Sequence, residues 1–172
     1  MTKILAIPGS LRSNSSSHQI LNEIISFAPS RVKIEVFQGL GSLPHFNDAE
    51  QPSPNVNEFR NRIREAGAVL ICTPEYAFGI PGSLKNAIDW TVSSAEFYGK
   101  PVGLITASSH GEKGHTAMMW VLTAIGARII EDSSMIISFV RAKLDSNGKI
   151  KDEELANALR KAVENLVRAG EG

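Results

Sequence analysis

The sequence has a single cysteine, Cys72, among 172 residues. An internal disulfide is therefore excluded, and neither a CxxC pair nor a Cys/His spacing suited to zinc is present. Cys72 lies in the apolar run Ala68–Thr73, which reads as a buried strand rather than as the setting of a nucleophile. Charge of one sign is missing too: 18 Lys and Arg balance 18 Asp and Glu. Nucleic-acid surfaces carry a basic excess, so no nucleic-acid partner is expected. Nor is there the strong acidity of a carrier that docks on basic proteins. No apolar run approaches the about 20 residues of a membrane span, and no leader-like segment precedes the first strand pattern. No membrane partner and a cytoplasmic location are the resulting expectations. The phosphate-loop patterns GxxxxGK[ST] and GxGxxG are also absent.

What remains is an ordinary globular composition, 42% apolar and 21% charged, of a length that suits one domain over residues 1–172. Short β-rich runs alternate with longer helical patterns. The runs are Lys3–Pro8, Val32–Phe37, Ala68–Thr73, Val102–Ala107 and roughly Ser134–Phe139. Several show little polar alternation, as expected of parallel strands covered on both faces. Helical patterns fall at Ser17–Ala28, after Pro54, after Pro81-Gly82, at Gly114–Ile125 and from Asp152 onward. Gln38–Pro52 shows no clear element, and Asp145–Gly148 reads as a turn.

Five strand–helix alternations predict an α/β fold: a doubly wound, five-stranded parallel sheet of order 2-1-3-4-5 with helices on both faces. Ligands of such sheets bind outside the carboxyl ends of the strands, at the switch point between strands 1 and 3. The loops Gly9–Ser17, Pro74–Gly82 and Ser108–Gly114 are therefore expected to build the site.

The first loop reads Gly9-Ser10-Leu11-Arg12-Ser13-Asn14-Ser15-Ser16-Ser17-His18. It follows a strand and opens a helix, so backbone N–H groups and the positive helix end face the site. Ser10, Ser15, Ser16 and Ser17 add hydroxyls, and Arg12 adds a forked cation suited to phosphate. One capping residue would suffice for a helix start; the excess points to a bound terminal phosphate, of the kind FMN carries. The second loop, Pro74-Glu75-Tyr76-Ala77-Phe78-Gly79-Ile80-Pro81-Gly82, is aromatic and apolar where surface loops are usually polar. It offers a flat surface to a planar ring. Lys85 and Asp89 are spaced to pair on a helix surface, and Trp90 reads as core or interface.

GSLRSNSSSH (Gly9–His18) and PEYAFGIPGSLKNAIDW (Pro74–Trp90) resemble the NADPH-dependent FMN reductase family. The resemblance in order and spacing covers about Lys3 to Ile137. It implies a flavodoxin-like fold, FMN as cofactor, and NADPH or NADH as electron donor. Ser10, Arg12, Ser15 and Ser17 match the family's phosphate-binding positions. Pro74, Glu75 and Tyr76 match the segment that holds the flavin ring, with Ala77 standing where the family usually has Asn. Ser108, Ser109, His110 and Gly111 lie where the family contacts the pyrimidine side of the ring.

The resemblance implies an enzyme that moves a hydride from NAD(P)H to FMN and then electrons to a small-molecule acceptor: a quinone, azo compound, metal oxyanion or free flavin. The chemistry belongs to the cofactor, so no catalytic side chain and no metal are expected. The alternative is a flavodoxin-like electron carrier or flavin-dependent regulator without turnover. A homodimer or homotetramer is expected from Met118, Met119, Trp120, Val121, Leu122 and Ile125, together with Trp90 and the loop at Tyr76.

Overall fold

The computed structural model describes residues 2–172. The aliphatic runs form strands β1 (Thr2–Pro8), β2 (Val32–Val36), β3 (Ala68–Thr73) and β4 (Pro101–Ala107). Helices α1 (Ser16–Phe27), α2 (Pro54–Glu65) and α3 (Gly82–Asp89) connect them, and α4 (Glu112–Ala124) follows β4. Then come the short strands β5 (Arg128–Ile129) and β6 (Met135–Ile137), the one-turn α5 (Val140–Lys143) and the long α6 (Glu153–Glu171). The strands run parallel in the order β2-β1-β3-β4-β5, and β6 also pairs with β4.

The period of two along the strands divides the core. Leu5, Ile7, Val69, Ile71, Val102 and Leu104 pack with residues of α2, α3 and α4 on one face. Ile4, Ala6, Ala68, Leu70, Cys72 and Ile105 pack with those of α1 and α6 on the other. Both faces are covered, which is why the runs lack polar alternation. α6 starts where Asp152 caps it, its Oδ1 accepting from the N–H groups of Glu154 and Leu155 at 3.0 and 3.3 Å.

The sheet departs from the expected five strands at its far edge. The run expected over Ser134–Phe139 is a strand only at Met135–Ile137, and Arg128–Ile129 forms a separate strand before it. Gly103 explains the break. A Cβ there would lie 2.8 Å from the Ser133 carbonyl oxygen, so the 3-10 turn Glu131–Ser133 presses into the space a side chain would fill. The Ser133 hydroxyl donates to the Ala162 carbonyl at 2.7 Å, and the Leu104 N–H donates to Ser134 Oγ at 3.2 Å. β5 therefore pairs with Pro101–Val102, and β6 with Ile105–Ala107.

Trp90 also differs from one of its expected roles. It is 2% exposed and belongs to the core, not to an outer apolar surface. Its Nε1 donates to the Pro44 carbonyl at 2.8 Å, and Asn86 Nδ2 donates to the same oxygen at 3.0 Å. These bonds hold the irregular segment 38–52 on α3; its one regular element is the 3-10 turn Leu40–Ser42.

Candidate functional site

The carboxyl ends of β1, β3 and β4 meet at a cavity of about 400 Å³. Its walls are Arg12 with Ser15, Ser16 and Ser17; Pro74, Glu75 and Tyr76; Ala107, Ser108 and Ser109; and the segment Phe139–Ala142. Gly9 permits the first two walls to approach: a Cβ on it would lie 2.2 Å from Thr73 Oγ1.

Ser15 is the N-cap of α1. Its Oγ accepts from the His18 N–H at 3.4 Å and lies 2.9 Å from His18 Nδ1. Ser16 and Ser17 occupy the first helical positions, whose N–H groups have no carbonyl below them in the helix. Ser17 is fully buried, a residue of the cavity wall whose hydroxyl lies beside the Cys72 thiol. The unpaired first-turn N–H groups at this helix N-terminus mark a place for an acceptor such as phosphate. Arg12 is exposed and makes no ion pair among the described residues. Ser10 lies beneath the loop instead of on the cavity wall. Its Oγ accepts from the Arg12 N–H at 3.3 Å and stands 3.3 Å from the Tyr76 hydroxyl, bracing the first wall against the second.

After β3 the chain makes a tight reversal. The Tyr76 N–H donates to Gly79 O at 3.1 Å, and the Gly79 N–H donates to Tyr76 O at 2.9 Å. Ala77 and Phe78 form the tip at φ 48° and 60°, the left-handed pair of a type I′ turn. Ala77 is exposed there and does not line the cavity. Lys113 Nζ sits 4.2 Å from the centre of the Phe78 ring.

After β4, Ser108 and Ser109 reach the cavity, whereas Gly111 is buried at φ 100° as the N-cap of α4. A glycine cannot cap through a side chain. Glu75 supplies the cap from the neighbouring loop, its Oε2 accepting from the Gly114 N–H at 2.7 Å. In the same helix His115 Nδ1 lies 2.9 Å from Thr106 Oγ1, and burial holds its imidazole below the usual value. The expected Lys85–Asp89 pair forms at 2.7 Å on α3.

The fourth wall, Phe139–Ala142, escaped the sequence reading. Phe139 leaves β6 at φ 53° and is 64% exposed, with its N–H donating to Ser109 O at 3.1 Å. Arg141, on α5, adds a second guanidinium to the cavity. The signal was its place, just past the carboxyl end of an edge strand, but four helical residues show no periodicity to read. Cys72 is not a functional thiol: burial drives it far up from its ordinary value, and a hydrogen bond with the Ser17 hydroxyl opposes this only in part. Among the described residues no group of His, Cys, Asp and Glu is placed to hold a metal, and no helix is long and apolar enough to cross a membrane.

The sheet order and the loops above it define a flavodoxin-like α/β oxidoreductase. The chain belongs to the NADPH-dependent FMN reductase family, whose model matches residues 2–141. It is 32% identical to an NAD(P)H-dependent FMN reductase of Pseudomonas aeruginosa, over 95% of this chain and 92% of the relative. It is 31% identical to NADH-dependent flavin reductase subunit 2 of Lactobacillus johnsonii, over 96% of each. Among solved structures it resembles a flavoenzyme NAD(P)H:(acceptor) oxidoreductase from Paracoccus denitrificans, with a TM-score of 0.84 and 28% identity, over 99% of this chain and 98% of that one.

Proposed function

We propose that the chain is an NAD(P)H-dependent FMN oxidoreductase that holds FMN in the cavity above β1, β3 and β4 and reduces a small oxidant. What carries this reading is the convergence on one cavity of the α1 N-terminus, with Ser15, Ser16 and Ser17, and of Arg12, which makes no ion pair among the described residues. A phosphate monoester fits that donor set. Ser15 and Ser16 stand in the same wall. Pro74, Glu75 and Tyr76 are assigned the flavin ring, and Ser108 and Ser109 its polar edge. Ser10 acts through Arg12 and Tyr76, and Gly111 by placing the loop after β4. Ala77, at the exposed tip, is assigned the outer margin of the ring site.

Bound FMN supplies the redox chemistry, accepting a hydride from NAD(P)H and passing two electrons to an acceptor. The chain's own part is to orient and to exclude. The first-turn N–H groups of α1 and Arg12 anchor the phosphate end. Tyr76 offers a flat wall to the ring end. Glu75 is engaged by Gly114 and His115 by Thr106, so neither is set to exchange a proton with substrate. Among quinones, azo compounds, metal oxyanions and free flavin, a planar quinone best suits a cavity bordered by Tyr76 and Phe139. This agrees with a relative named quinone reductase in Escherichia coli, 28% identical over 88% of this chain. The same reading places the enzyme in the cytoplasm, where the donor is regenerated, and as a homodimer or dimer of dimers.

Denatured protein should release FMN, and anaerobic NAD(P)H should bleach the bound flavin band within seconds. Protein without affinity for FMN would refute the reading. A flavin reduced by dithionite but untouched by NADPH and NADH would instead make the chain a carrier or regulator.

A further inference from the structure

The segment Ser138–Ile150 crosses from β6 back to α1 and leaves a second cleft against it. Several bonds hold the segment in place. Glu23, on α1, accepts from Lys149 Nζ at 2.7 Å and from the Ile150 N–H at 3.2 Å. Gly148 packs so closely on Gln19 that a Cβ would lie 3.0 Å from its side chain. At the other end the Ser138 hydroxyl donates to His110 O at 2.8 Å.

The cleft measures about 280 Å³. Arg12, Ser16 and Arg141 are common to it and to the larger cavity, so the two join at the phosphate end and not at the ring end. Asn14, Gln19 and Asp145 complete its polar lining. Neither guanidinium makes an ion pair among the described residues, and the first turn of α1 carries no acidic residue. Asp145 Oδ1 accepts from the N–H groups of Asn147 and Lys149 at 2.8 and 2.9 Å, which turns the carboxylate into a fixed acceptor.

We propose that this cleft is a second phosphate subsite that takes the ribose-phosphate part of an adenine dinucleotide. Arg141, which the FMN reading leaves unassigned, matches a second phosphate beside Arg12, and a fixed carboxylate matches ribose hydroxyls. The assignment rests on the FMN reading of the larger cavity. Its ligand has two sources, the adenylate half of NAD(P)H or that of FAD.

Gln19 and Asn14 line the cleft but not the larger cavity, so they test it selectively. ADP and 2′,5′-ADP, titrated calorimetrically into FMN-loaded protein, should bind. Gln19→Glu, which puts a negative charge in the cleft, should weaken them at least about tenfold, the scale of one charge-assisted hydrogen bond. Asn14→Asp should do the same, so the result does not hang on one variant. If the donor is the source, both nucleotides compete with NAD(P)H, and Gln19→Glu raises its KM while kcat holds. If a flavin is the source, flavin-free protein binds FAD at least as tightly as FMN, and Gln19→Glu lowers the FAD-to-FMN affinity ratio by the same factor. Absence of ADP binding at millimolar concentration, or ADP and FAD affinities that neither substitution alters, would overturn the subsite. Failure of FMN to bind is read separately, in the flavin titration, and overturns the reading of the larger cavity.

Discussion

The Glu75 carboxylate accepts the Gly114 N–H at 2.7 Å, so the loop after β3 caps the helix that follows β4. Gly114 is small for the same reason: a Cβ on it would lie 3.0 Å from Glu75 Cγ. Glu75→Ala should destabilise the protein by about 0.5–2 kcal/mol, the worth of a helix cap. Glu75→Gln keeps an acceptor and should recover most of it. Urea unfolding of the two variants checks this, and equal losses would mean that the contact is not a cap.

Arg12→Ala should weaken FMN binding about tenfold to a hundredfold, since a hydrogen bond to a charged group contributes about 1.5–3 kcal/mol. Folding should change far less, because the side chain is exposed and unpaired. Quenching of flavin fluorescence on titration gives the affinity. An unchanged value would show that Arg12 does not meet the phosphate.

The type I′ turn at Ala77-Phe78 is built from two residues that dislike positive φ, where Asn and Gly are favoured. Ala77→Asn should add roughly 1 kcal/mol, which for a chain of this size raises Tm by about 2–4 °C. The same variant restores the residue usual in the family, so its rate of flavin reduction by NADPH is the second readout. A lower Tm would count against the turn geometry.

Burial holds both His18 and His115 below the ordinary imidazole value. Their contribution to stability is complete above about pH 6.5, where folded and unfolded chains both leave them neutral. Below that the unfolded chain takes up protons first, so stability falls until the folded-state value is passed. His115→Gln should flatten that part of the profile in urea midpoints measured from pH 7.5 to 5. A variant profile parallel to the wild type would remove His115 from the account.

Trp120 is 72% exposed and Tyr98 80%, with Val92 also in the open. Large apolar groups left bare in this way suit a second copy of the chain. Light scattering at micromolar concentration should report a dimer or tetramer, and Trp120→Glu should shift it toward monomer. A wild-type monomer would reject the assembly.

Donor and acceptor are expected to use the same open flavin face in turn. Initial rates against NAD(P)H at several quinone concentrations should then give parallel double-reciprocal lines. Intersecting lines would mean that both bind together.

The central strands were legible because they are covered on both faces: Ile4–Ile7 and Val69–Cys72 are uninterrupted aliphatic runs that no surface strand would show. The first wall was legible because the excess of serines after β1 outruns the needs of a cap. The edge strand was not, because its break depends on Gly103, a residue in a different strand whose missing side chain admits Ser133. The cap from Glu75 was hidden for the same reason, since nothing local ties position 75 to position 114. Phe139 and Arg141 were missed because a single helical turn carries no period, and an aromatic two residues beyond Ile137 reads as more strand. Trp90 was legible as core or interface and is core; the choice between the two rests on its partners at Pro44 and Phe46, which lie too far along the chain to foresee.

The walls of the cavity come from positions as far apart as Arg12 and Ala142. A fragment that ends before Ala142 or begins after Arg12 therefore lacks part of a wall. By mass action, a flavin at about 100 times its Kd adds about 2.7 kcal/mol to the folded state. On the proposed reading of the cavity, flavin supply is then expected to set how far the protein resists proteolysis as well as how much of it works.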